Sequence, residues 1–259
     1  MDLHIKGRKA IVCASSEGLG YASAYALAQA GCSLVMNGRS KDKLETAAAQ
    51  VRSGTDATVT TVVADVSKPE GRAAIIAACP DADILVNNGG GPPKKDFREL
   101  TPQDWQSALE TNMLAAVALI THFADGMMAR GFGRIVNITS MTSVRPAINL
   151  DLSNAARLGL TGFVAGVSRQ VAGRNVTINN LLPGTFDTDR LKSNLAALAK
   201  RSGKDVAETT EQIRGGNPAK RFGTTEEFGA ACAFLCSAQA GYITGQNFLV
   251  DGGAYPGTF

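Results

Sequence analysis

A short turn that contains two glycines, near the start of the chain, has the residue types needed to hold a negatively charged group. The apolar run at residues 10–14 breaks at residues 15–20, and a segment with helical spacing follows. This pattern predicts a strand, a tight turn and a helix. Gly18 and Gly20 let the backbone approach a bulky anion, and the free N–H groups at the start of the helix attract negative charge. We therefore expect a pyrophosphate here, although two glycines before a helix are often only a tight connection.

The residue that inspects the adenosine ribose is expected about 20 residues further on, where an acid binds the 2′-hydroxyl in NAD-binding units. Here the second apolar run ends in Asn37-Gly38-Arg39-Ser40, and the acid is missing. Arg39 offers a fork of donors that suits a 2′-phosphate. The presence of Arg39 in place of the acid favours NADP(H) over NAD(H). The alternative is that Arg39 is an ordinary solvated charge at the end of a strand.

Composition points to an α/β protein that acts on small molecules. The 259 residues are 44% hydrophobic, with a net charge of +3 scattered along the chain, so neither a nucleic-acid partner nor a linker between domains is indicated. The longest apolar run, residues 113–120, is far shorter than the ~20 residues of a membrane helix, and the N-terminus lacks an apolar signal core. We expect a cytoplasmic protein without a membrane partner.

The cysteines and histidines offer little chemistry. Five cysteines without a C-x-x-C pair fit a reducing compartment and predict no metal site. Cys232 and Cys236 share a helix face and are interpreted as buried thiols. His122 lies in an apolar helical pattern, which predicts a packed side chain rather than a catalyst.

Strands and helices alternate along the whole chain, which predicts a doubly wound α/β fold: about seven parallel strands with helices on both faces. Strands are expected near residues 10–14, 34–36, 58–64, 83–86, 133–140, 175–182 and 246–250, and helices near 21–28, 41–52, from 69, 101–130, 152–172, within 188–216 and at 224–236. Ligands of such sheets bind at the carboxyl ends of the strands.

Several polar residues are predicted to lie at that edge. Asp65 could accept a hydrogen bond from an adenine amino group, or it could cap the next helix. Asn88 and Gly89 belong to a loop after the fourth strand. Asn112 lies inside the long helix at 101–130, where a buried amide is costly unless it is paired, and it could simply satisfy a neighbouring backbone group.

These features together resemble the short-chain dehydrogenase/reductase family over essentially the whole chain. The family's Thr-Gly-x-x-x-Gly-x-Gly turn corresponds to residues 13–20, with Ala14 in place of the first glycine. Its other motifs correspond to Asn87-Asn88-Gly89-Gly90, Asn112, Ser140, Pro183-Gly184-Thr185-Phe186-Asp187-Thr188 and Asp251-Gly252-Gly253.

The resemblance implies one NAD(P)-binding Rossmann-fold domain over residues 1–259, with a substrate lid at about 185–218. It implies an NADP(H)-dependent oxidoreductase of the carbonyl reductase or alcohol dehydrogenase type, and a homo-oligomer, either a dimer or a homotetramer. The residues expected to bind the cofactor are Ser15, Ser16, Glu17, Gly18, Leu19, Gly20, Asn37, Arg39, Ser40, Asp65, Val66, Asn88, Gly89, Arg157, Pro183, Gly184, Phe186 and Thr188.

The chain departs from the family at the chemical centre, where Tyr-x-x-x-Lys is replaced by Ser153 and Arg157. In the family the tyrosine exchanges a proton with the substrate oxygen, and the lysine lowers the tyrosine pKa and holds the nicotinamide ribose. A serine is a far weaker acid than a tyrosine, whose ordinary pKa is about 10. Arg157 keeps the positive charge and can bond ribose hydroxyls, but it cannot give up its proton.

Three interpretations remain open, and the residues expected to be catalytic are Ser140, Asn112, Ser153 and Arg157. In the first, a reductase, Ser140 polarises the carbonyl and a water held by Ser153 and Asn112 supplies the proton. The second is altered chemistry, dehalogenase- or lyase-like, and the third is a non-catalytic NADP-binding regulatory protein. Ser153 could also be no more than a helix cap.

Overall fold

Seven apolar runs of the chain form one parallel sheet in the computed structural model, which describes residues 2–258; Met1 and Phe259, the ends of the predicted domain, lie outside them. The strands are β1 Lys9–Val12, β2 Ser33–Gly38, β3 Val59–Val63, β4 Ile84–Asn87, β5 Gly133–Ile138, β6 Val176–Pro183 and β7 Asn247–Val250. Their spatial order is β3-β2-β1-β4-β5-β6-β7, and each neighbouring pair is parallel. The predicted doubly wound fold is confirmed.

The helices between the strands cover both faces of the sheet. They are α1 Gly18–Gln29, α2 Lys41–Gly54, α3 Pro69–Ala78, α4 Pro102–Leu109, α5 Ala115–Arg130, α6 Asp151–Val171, α7 Asp189–Ser202, α8 Val206–Gly216 and α9 Thr225–Leu235. One core cluster joins α1, α2 and α9 to the sheet through Leu27, Leu44 and Phe228. The other cluster joins α3 and α5 to the opposite face through Ile75 and Phe123. The sheet is therefore buried on both sides, as a parallel sheet requires.

The predicted helix at 101–130 is interrupted by a π-helical turn. Thr101 caps α4 with a reciprocal pair of bonds to Asp104, and the turn Glu110–Leu114 separates α4 from α5. Asn112 lies within this turn and is buried. Because a π-helical turn shifts the helical hydrogen-bond pattern, it sets Asn112 apart from the regular helix on either side.

Two predictions about single side chains prove wrong. Ser153 is the third residue of α6 and is 6% exposed, whereas Leu150 precedes the first turn, so Ser153 is not the cap. His122 is exposed and meets Phe123 edge to face, because it lies one position outside the buried stripe of α5. The five cysteines are all buried and free, as expected.

One helical stretch of the described residues, Pro102–Arg130, is long and apolar enough by composition to cross a membrane. The core helix of a globular protein passes the same test, and this stretch packs Leu119, Ile120 and Phe123 into the core. The stretch is therefore only weak support for a membrane span.

Candidate active site

The glycine-containing turn is shaped by close backbone contacts. Gly18 has a φ of +58°, and a Cβ on Gly20 would overlap the Ala14 carbonyl oxygen and approach the Asn88 amide nitrogen to 2.6 Å. Asn88 Nδ2 donates to that carbonyl at 3.1 Å, which ties the loop after β4 to the turn. Ala14 replaces the family glycine and still has a φ of +46°, a left-handed conformation that disfavours a side chain.

Two predicted cofactor residues instead use their side chains to hold the turn in place. Ser15 is fully buried, and its Oγ donates to the Val12 carbonyl oxygen at 2.9 Å. Asn37 Nδ2 donates to the carbonyl oxygens of Val62 and Ala64, and its Oδ1 accepts from the Ala14 N–H. Because these polar groups are already paired, the two side chains act as supports for the turn.

Arg39 and Ser40, which follow β2, have different surroundings. Arg39 is exposed and makes no hydrogen bond or salt bridge within residues 2–258, so its fork of donors is free. Ser40 lies outside the cavity that Arg39 lines, at the position before the first turn of α2. Its predicted role in binding the cofactor therefore stays a prediction.

Asp65 lies after β3 in a local turn. Its Oδ1 accepts from the backbone N–H and the hydroxyl of Ser67, at 3.0 and 2.8 Å. Partial burial acts to raise the pKa of Asp65, but the Ser67 hydrogen bonds and the charge of Arg39 outweigh it, and the pKa is lowered. The carboxylate is therefore charged at neutral pH and remains an acceptor. It does not cap α3 directly, since Lys68 occupies that position.

A single cavity of about 1150 Å³ runs along the carboxyl edge of the sheet. It is lined by every predicted site residue except Ser15 and Ser40, namely Ser16, Glu17, Gly18, Leu19, Gly20, Asn37, Arg39, Asp65, Val66, Asn88, Gly89, Asn112, Ser140, Ser153, Arg157, Pro183, Gly184, Phe186 and Thr188. The cavity is long because strand order places β2 and β3 at one end and β5 and β6 at the other.

The walls of this cavity fit a dinucleotide. At one end, the backbone at Gly18 is open and leaves room for a diphosphate at the start of α1, while Gly20 lets that helix start pack closely against the Ala14 carbonyl. The unpaired Arg39 lies beyond it, where a 2′-phosphate is expected. Thr188, the cap of α7, reaches over the turn, so that a Cβ on Gly18 would touch its methyl group at 3.7 Å.

At the other end, two serines and one arginine form the chemical centre. Ser140 Oγ accepts from the Thr142 N–H at 3.1 Å. Ser153 Oγ accepts from Arg157 Nε at 3.2 Å, and Arg157 Nη1 donates to the Ile138 carbonyl oxygen at 3.1 Å. Both hydroxyls are therefore used as acceptors, and each keeps a proton to donate into the cavity.

Arg157 is a buried cation whose contacts are all neutral. It is 7% exposed, and within residues 2–258 no carboxylate pairs with it. Burial, together with the smaller effect of the nearby charge of Arg190 on α7, lowers the pKa of Arg157 to about 10. At neutral pH the guanidinium stays charged, so it supplies a fixed positive charge beside Ser153.

A chain of asparagine amides extends from this centre across the sheet. Asn87 donates to Asn137 at 2.8 Å, Asn137 to Asn180 at 3.0 Å, and Asn180 to Asn247 at 2.9 Å, so all four amides point the same way. Asn87 Oδ1, at the free acceptor end, is buried without a hydrogen-bond partner within residues 2–258.

The free amide oxygens belong to residues that line a small second cavity, which Arg157 also lines. Asn87, Asn112 and Arg157 are among the residues around this space of about 20 Å³. Asn112 Nδ2 donates to the Ala108 carbonyl, as one expectation had it, but Asn112 Oδ1 is buried and unpaired. Two acceptors and a cation around a space of this size suit one ordered water molecule.

Four basic residues line the cavity beyond β4: Lys94, Arg145, Arg190 and Arg201, from three separate segments of the chain. The sequence interpretation missed Lys94 and Arg145, whereas for Arg190 and Arg201 it left open an acidic ligand or a solvated helix face. For α7 a signal was available, because Arg190, Asn194, Leu198 and Arg201 recur at helical spacing. That spacing places them on one face, which is the face towards the cavity.

Comparison with known proteins agrees with this geometry. A family model described as enoyl-(acyl carrier protein) reductase matches residues 13–255. The NADPH-dependent reductase BacG of Bacillus subtilis is 32% identical over 252 residues, covering 95% of this chain and 97% of that protein. The 3-oxoacyl-[acyl-carrier-protein] reductase FabG of Vibrio cholerae is 30% identical over 257 residues, covering 98% of this chain and 99% of that protein.

A solved structure extends the agreement to three dimensions. L-sorbose reductase from Gluconobacter frateurii, complexed with NADPH and L-sorbose, has a TM-score of 0.94 and 32% identity, covering 99% of this chain and 100% of that chain. The parallel sheet, the dinucleotide-sized cavity and these matches lead to one conclusion: the chain belongs to the short-chain dehydrogenase/reductase family of oxidoreductases.

Proposed function

We propose that this oxidoreductase uses NADPH to reduce the carbonyl group of a small molecule, and that it does so without the family tyrosine. One observation carries the proposal: the glycine-containing turn and Arg39 line the same cavity as Ser153 and Arg157, which are bonded to each other at the chemical centre. The NADPH-dependent relatives support the choice of cofactor.

The preference for NADPH rests on Arg39. Its guanidinium is unpaired and lines the cavity after β2, so it is available to a 2′-phosphate. Fluorescence titration should show NADPH binding more tightly than NADH, and Arg39→Ala should weaken NADPH selectively. Lys41→Ala, an exposed change outside the cavity, is the control. Equal affinity for both cofactors before and after the Arg39 change would remove the argument.

The residues that would hold the cofactor follow from the cavity wall. The turn at residues 16–20 would take the diphosphate, and the N–H groups of Arg157 that are not bonded to Ser153 or Ile138 would take ribose hydroxyls. When bound, reduced nicotinamide supplies a hydride to a carbonyl carbon. The protein would orient the carbonyl and stabilise the negative charge that develops on its oxygen.

We assign the main contact with the substrate oxygen to Ser140. Its hydroxyl is anchored by the Thr142 N–H and keeps its proton for donation. Ser153 is anchored by Arg157, whose charge polarises the serine hydroxyl and makes it a second donor. Neither serine, nor a single bound water molecule, is acidic enough to give up a proton outright, so the proton comes from bulk solvent and passes along hydrogen-bonded water to the oxygen as negative charge develops there.

The carboxylates in the wall are poor proton sources at neutral pH. Hydrogen bonds from Thr101 and Lys95 lower the pKa of Asp104 to about 2, and the pKa of Asp65 is also lowered. Within residues 2–258 no tyrosine lines the cavity. A proton relay through water, with Asn112 and Ser153 beside it, is therefore the route that we propose.

A substrate screen tests this function. Aldehydes, ketones, sugars and oxoacyl thioesters would be offered with NADPH, and an enoyl thioester is included because of the description of the matching family model. Oxidation of NADPH with formation of the matching alcohol supports the proposal. NADPH binding without turnover of any compound would favour the non-catalytic alternative. The dehalogenase-like alternative is less favoured. It does not require a nucleotide pocket, whereas the glycine-containing turn and Arg39 line a cavity that fits a dinucleotide here.

We also propose that the chain is a cytoplasmic homo-oligomer, a dimer or a homotetramer, in which α4, α5 and α6 pair with a second copy. Exposed apolar side chains support this, since Trp105, Leu114 and Leu158 are 36%, 41% and 55% exposed. Light scattering at micromolar concentration should give a multiple of the chain mass, and Leu158→Glu should reduce it. A wild-type monomer would contradict the proposal.

The segment at 185–218 is proposed as a substrate lid. Its helices α7 and α8 follow β6, and several of their side chains line the cavity, including Leu195, Leu198 and Ile213. Limited proteolysis should cut this segment less readily once NADPH and a substrate are bound. Equal cutting in both states would contradict a closing lid.

A further inference from the structure

The half of the cavity beyond β4 carries a charge that the cofactor does not explain. Lys94 follows β4, Arg145 follows β5, and Arg190 and Arg201 lie on α7 after β6. In the proposed function, the glycine-containing turn and Arg39 bind the phosphates of the cofactor in the other half of the cavity. The basic residues of this half therefore point to a second anion.

The carboxylates nearby do not neutralise these side chains. Asp104 is the acidic residue in this part of the wall, and it pairs with Lys95 at 3.0 Å. Within residues 2–258, Lys94, Arg190 and Arg201 make no hydrogen bond or salt bridge. An anion that entered this half would meet free donors.

The lid segment itself shows which of its basic residues are left free. Three that lie outside the cavity wall pair with carboxylates: Lys192 with Asp189, Lys204 with Glu208 and Arg214 with Glu211. The two that line the cavity, Arg190 and Arg201, remain unpaired. Lys200, also outside the cavity wall, makes no hydrogen bond or salt bridge within residues 2–258, so three of the four basic residues outside the wall are paired and neither of the two inside it is.

Arg190 lies on the cavity wall near the loop that follows β4. Its guanidinium lies against Gly91, where a Cβ would overlap it. The positive charge of Arg190 contributes to the lowered pKa of Arg157, so the two cations repel each other. A single negative charge between Arg190 and Arg157 would relieve that repulsion and would lie beside the carbonyl that Ser140 contacts.

Between Arg190 and Arg201 the cavity face of α7 is mainly apolar, with Asn194 as its one polar side chain. Leu191, Leu195 and Leu198 line the cavity between Arg190 and Arg201, which lie about 16 Å apart along the helix at 1.5 Å per residue. A ligand with its charge at Arg190 would lay an apolar body on these leucines.

We propose that the substrate is a 2-oxo or 3-oxo acid with an apolar substituent, whose carboxylate is bound by Arg190. This inference rests on the proposed carbonyl reduction and specifies its substrate class. An anion near the carbonyl follows from the unpaired Arg190 on the wall of the same cavity as Ser140 and Arg157, and the substituent follows from the leucine face.

The test uses a matched pair of probes, 4-methyl-2-oxopentanoate and its neutral amide, together with the corresponding 3-oxo acid and amide. Turnover is followed with NADPH, and binding is measured by calorimetry on the protein loaded with NADP⁺. The variants are Arg190→Gln and, as control, Lys200→Gln on the same helix, which is exposed and does not line the cavity. NADPH affinity is titrated in each variant.

The proposal predicts that at least one acid has a kcat/KM about 10-fold or more above its amide. Arg190→Gln should lower that value by about 10- to 100-fold, the usual loss for a charged hydrogen bond, with the amide and NADPH affinity unchanged. Lys200→Gln should change neither. Arg190-dependent binding of the acid without turnover would still support the anion site, while it would count against reduction of these compounds.

Two results would overturn the inference. If wild-type protein handled acid and amide alike, in turnover and in binding, the basic residues would have no role in selecting the substrate. If Arg190→Gln weakened NADPH and left the ratio of acid to amide unchanged, Arg190 would serve the cofactor diphosphate instead. In both cases carbonyl reduction itself could stand, since neutral ketones would still be reduced.

Discussion

Replacing Arg157 by methionine should lower the enzymatic activity while it leaves the free energy of unfolding nearly unchanged. Arg157 is buried, and its pKa is lowered to about 10 from an ordinary value of 12.5. A difference of this size corresponds to about 3 kcal/mol spent on holding the charge in the folded state. Methionine has a similar length and carries no charge, so it would relieve this cost.

The relief is offset by lost hydrogen bonds. Ser153 Oγ and the Ile138 carbonyl oxygen would each lose a donor, which costs about 1–2 kcal/mol apiece. The two effects nearly cancel, and we expect the free energy of unfolding of Arg157→Met to change by less than about 1.5 kcal/mol. Activity should fall by about 100-fold or more, because a preorganised charge beside the reacting oxygen is lost.

The sign of the pH dependence follows from the same pKa. Arg157 has a lower pKa in the folded than in the unfolded state, so its cost is fully present below about pH 10. The cost is relieved as pH rises from about 10 towards 12.5, where only the unfolded chain still binds the proton. Unfolding at pH 7.5 therefore measures the full penalty.

Arg134 provides a matched control, because it is a second buried arginine with a purely structural set of contacts. It is 1% exposed and donates to the carbonyl oxygens of Ser237, Gly133 and Asn175, and to Asn175 Oδ1. Arg134→Met would strand these acceptors and should lower the free energy of unfolding by about 3–5 kcal/mol.

Urea unfolding followed by circular dichroism, at one protein concentration and pH 7.5, gives both free energies, provided that the m-values agree. An Arg157→Met loss as large as the Arg134→Met loss would mean that Arg157 is a structural anchor. Full activity in Arg157→Met would refute its placement at the chemical centre.

Three further predictions concern the turn and the serines. Ser140→Ala should lower kcat/KM by about 100-fold or more and Ser153→Ala by less, because Ser140 makes the main substrate contact; the opposite order in steady-state assays would reverse the assignment. Ser153→Tyr with Arg157→Lys should raise ordinary ketone reduction by restoring the family acid, and an unchanged rate would show that the cavity is shaped for other chemistry. Ala14→Gly should raise the free energy of unfolding by about 1 kcal/mol, since φ is +46° at Ala14, and no gain in urea unfolding would contradict strain there.

The order of strands and helices was predicted well from the sequence, because the spacing of apolar residues and the turn residues between them are local signals. Gly18, Gly20 and Arg39 lie where the turn pattern and strand spacing predicted, along one edge of the sheet. Element ends were correct to within a few residues. The interruption of the long helix around Asn112 was missed, since a π-helical turn has no local pattern comparable to a glycine or a proline.

Side-chain partners were predicted less well, because they depend on contacts between distant segments. The side chains of Ser15 and Asn37 could bind phosphate or ribose by residue type. In the structure their polar atoms are already hydrogen-bonded to backbone groups of the strands. The bond between Arg157 and Ser153 joins residues four apart on one helix and was within reach of helical spacing. The unpaired state of Arg190 depends on the position of α7 and could not be predicted.

We claim that a hydride passes from NADPH to a carbonyl without a tyrosine, and isotope transfer tests this. NADPH deuterated at C4, in each of its two stereochemical forms, would be incubated with the protein and a carbonyl compound found in the screen, and the product examined by mass spectrometry and NMR. We predict an alcohol with one deuterium on the former carbonyl carbon from one of the two forms only, with much less of it from Ser140→Ala. NADPH that binds tightly but leaves no deuterium in any product would contradict the claim.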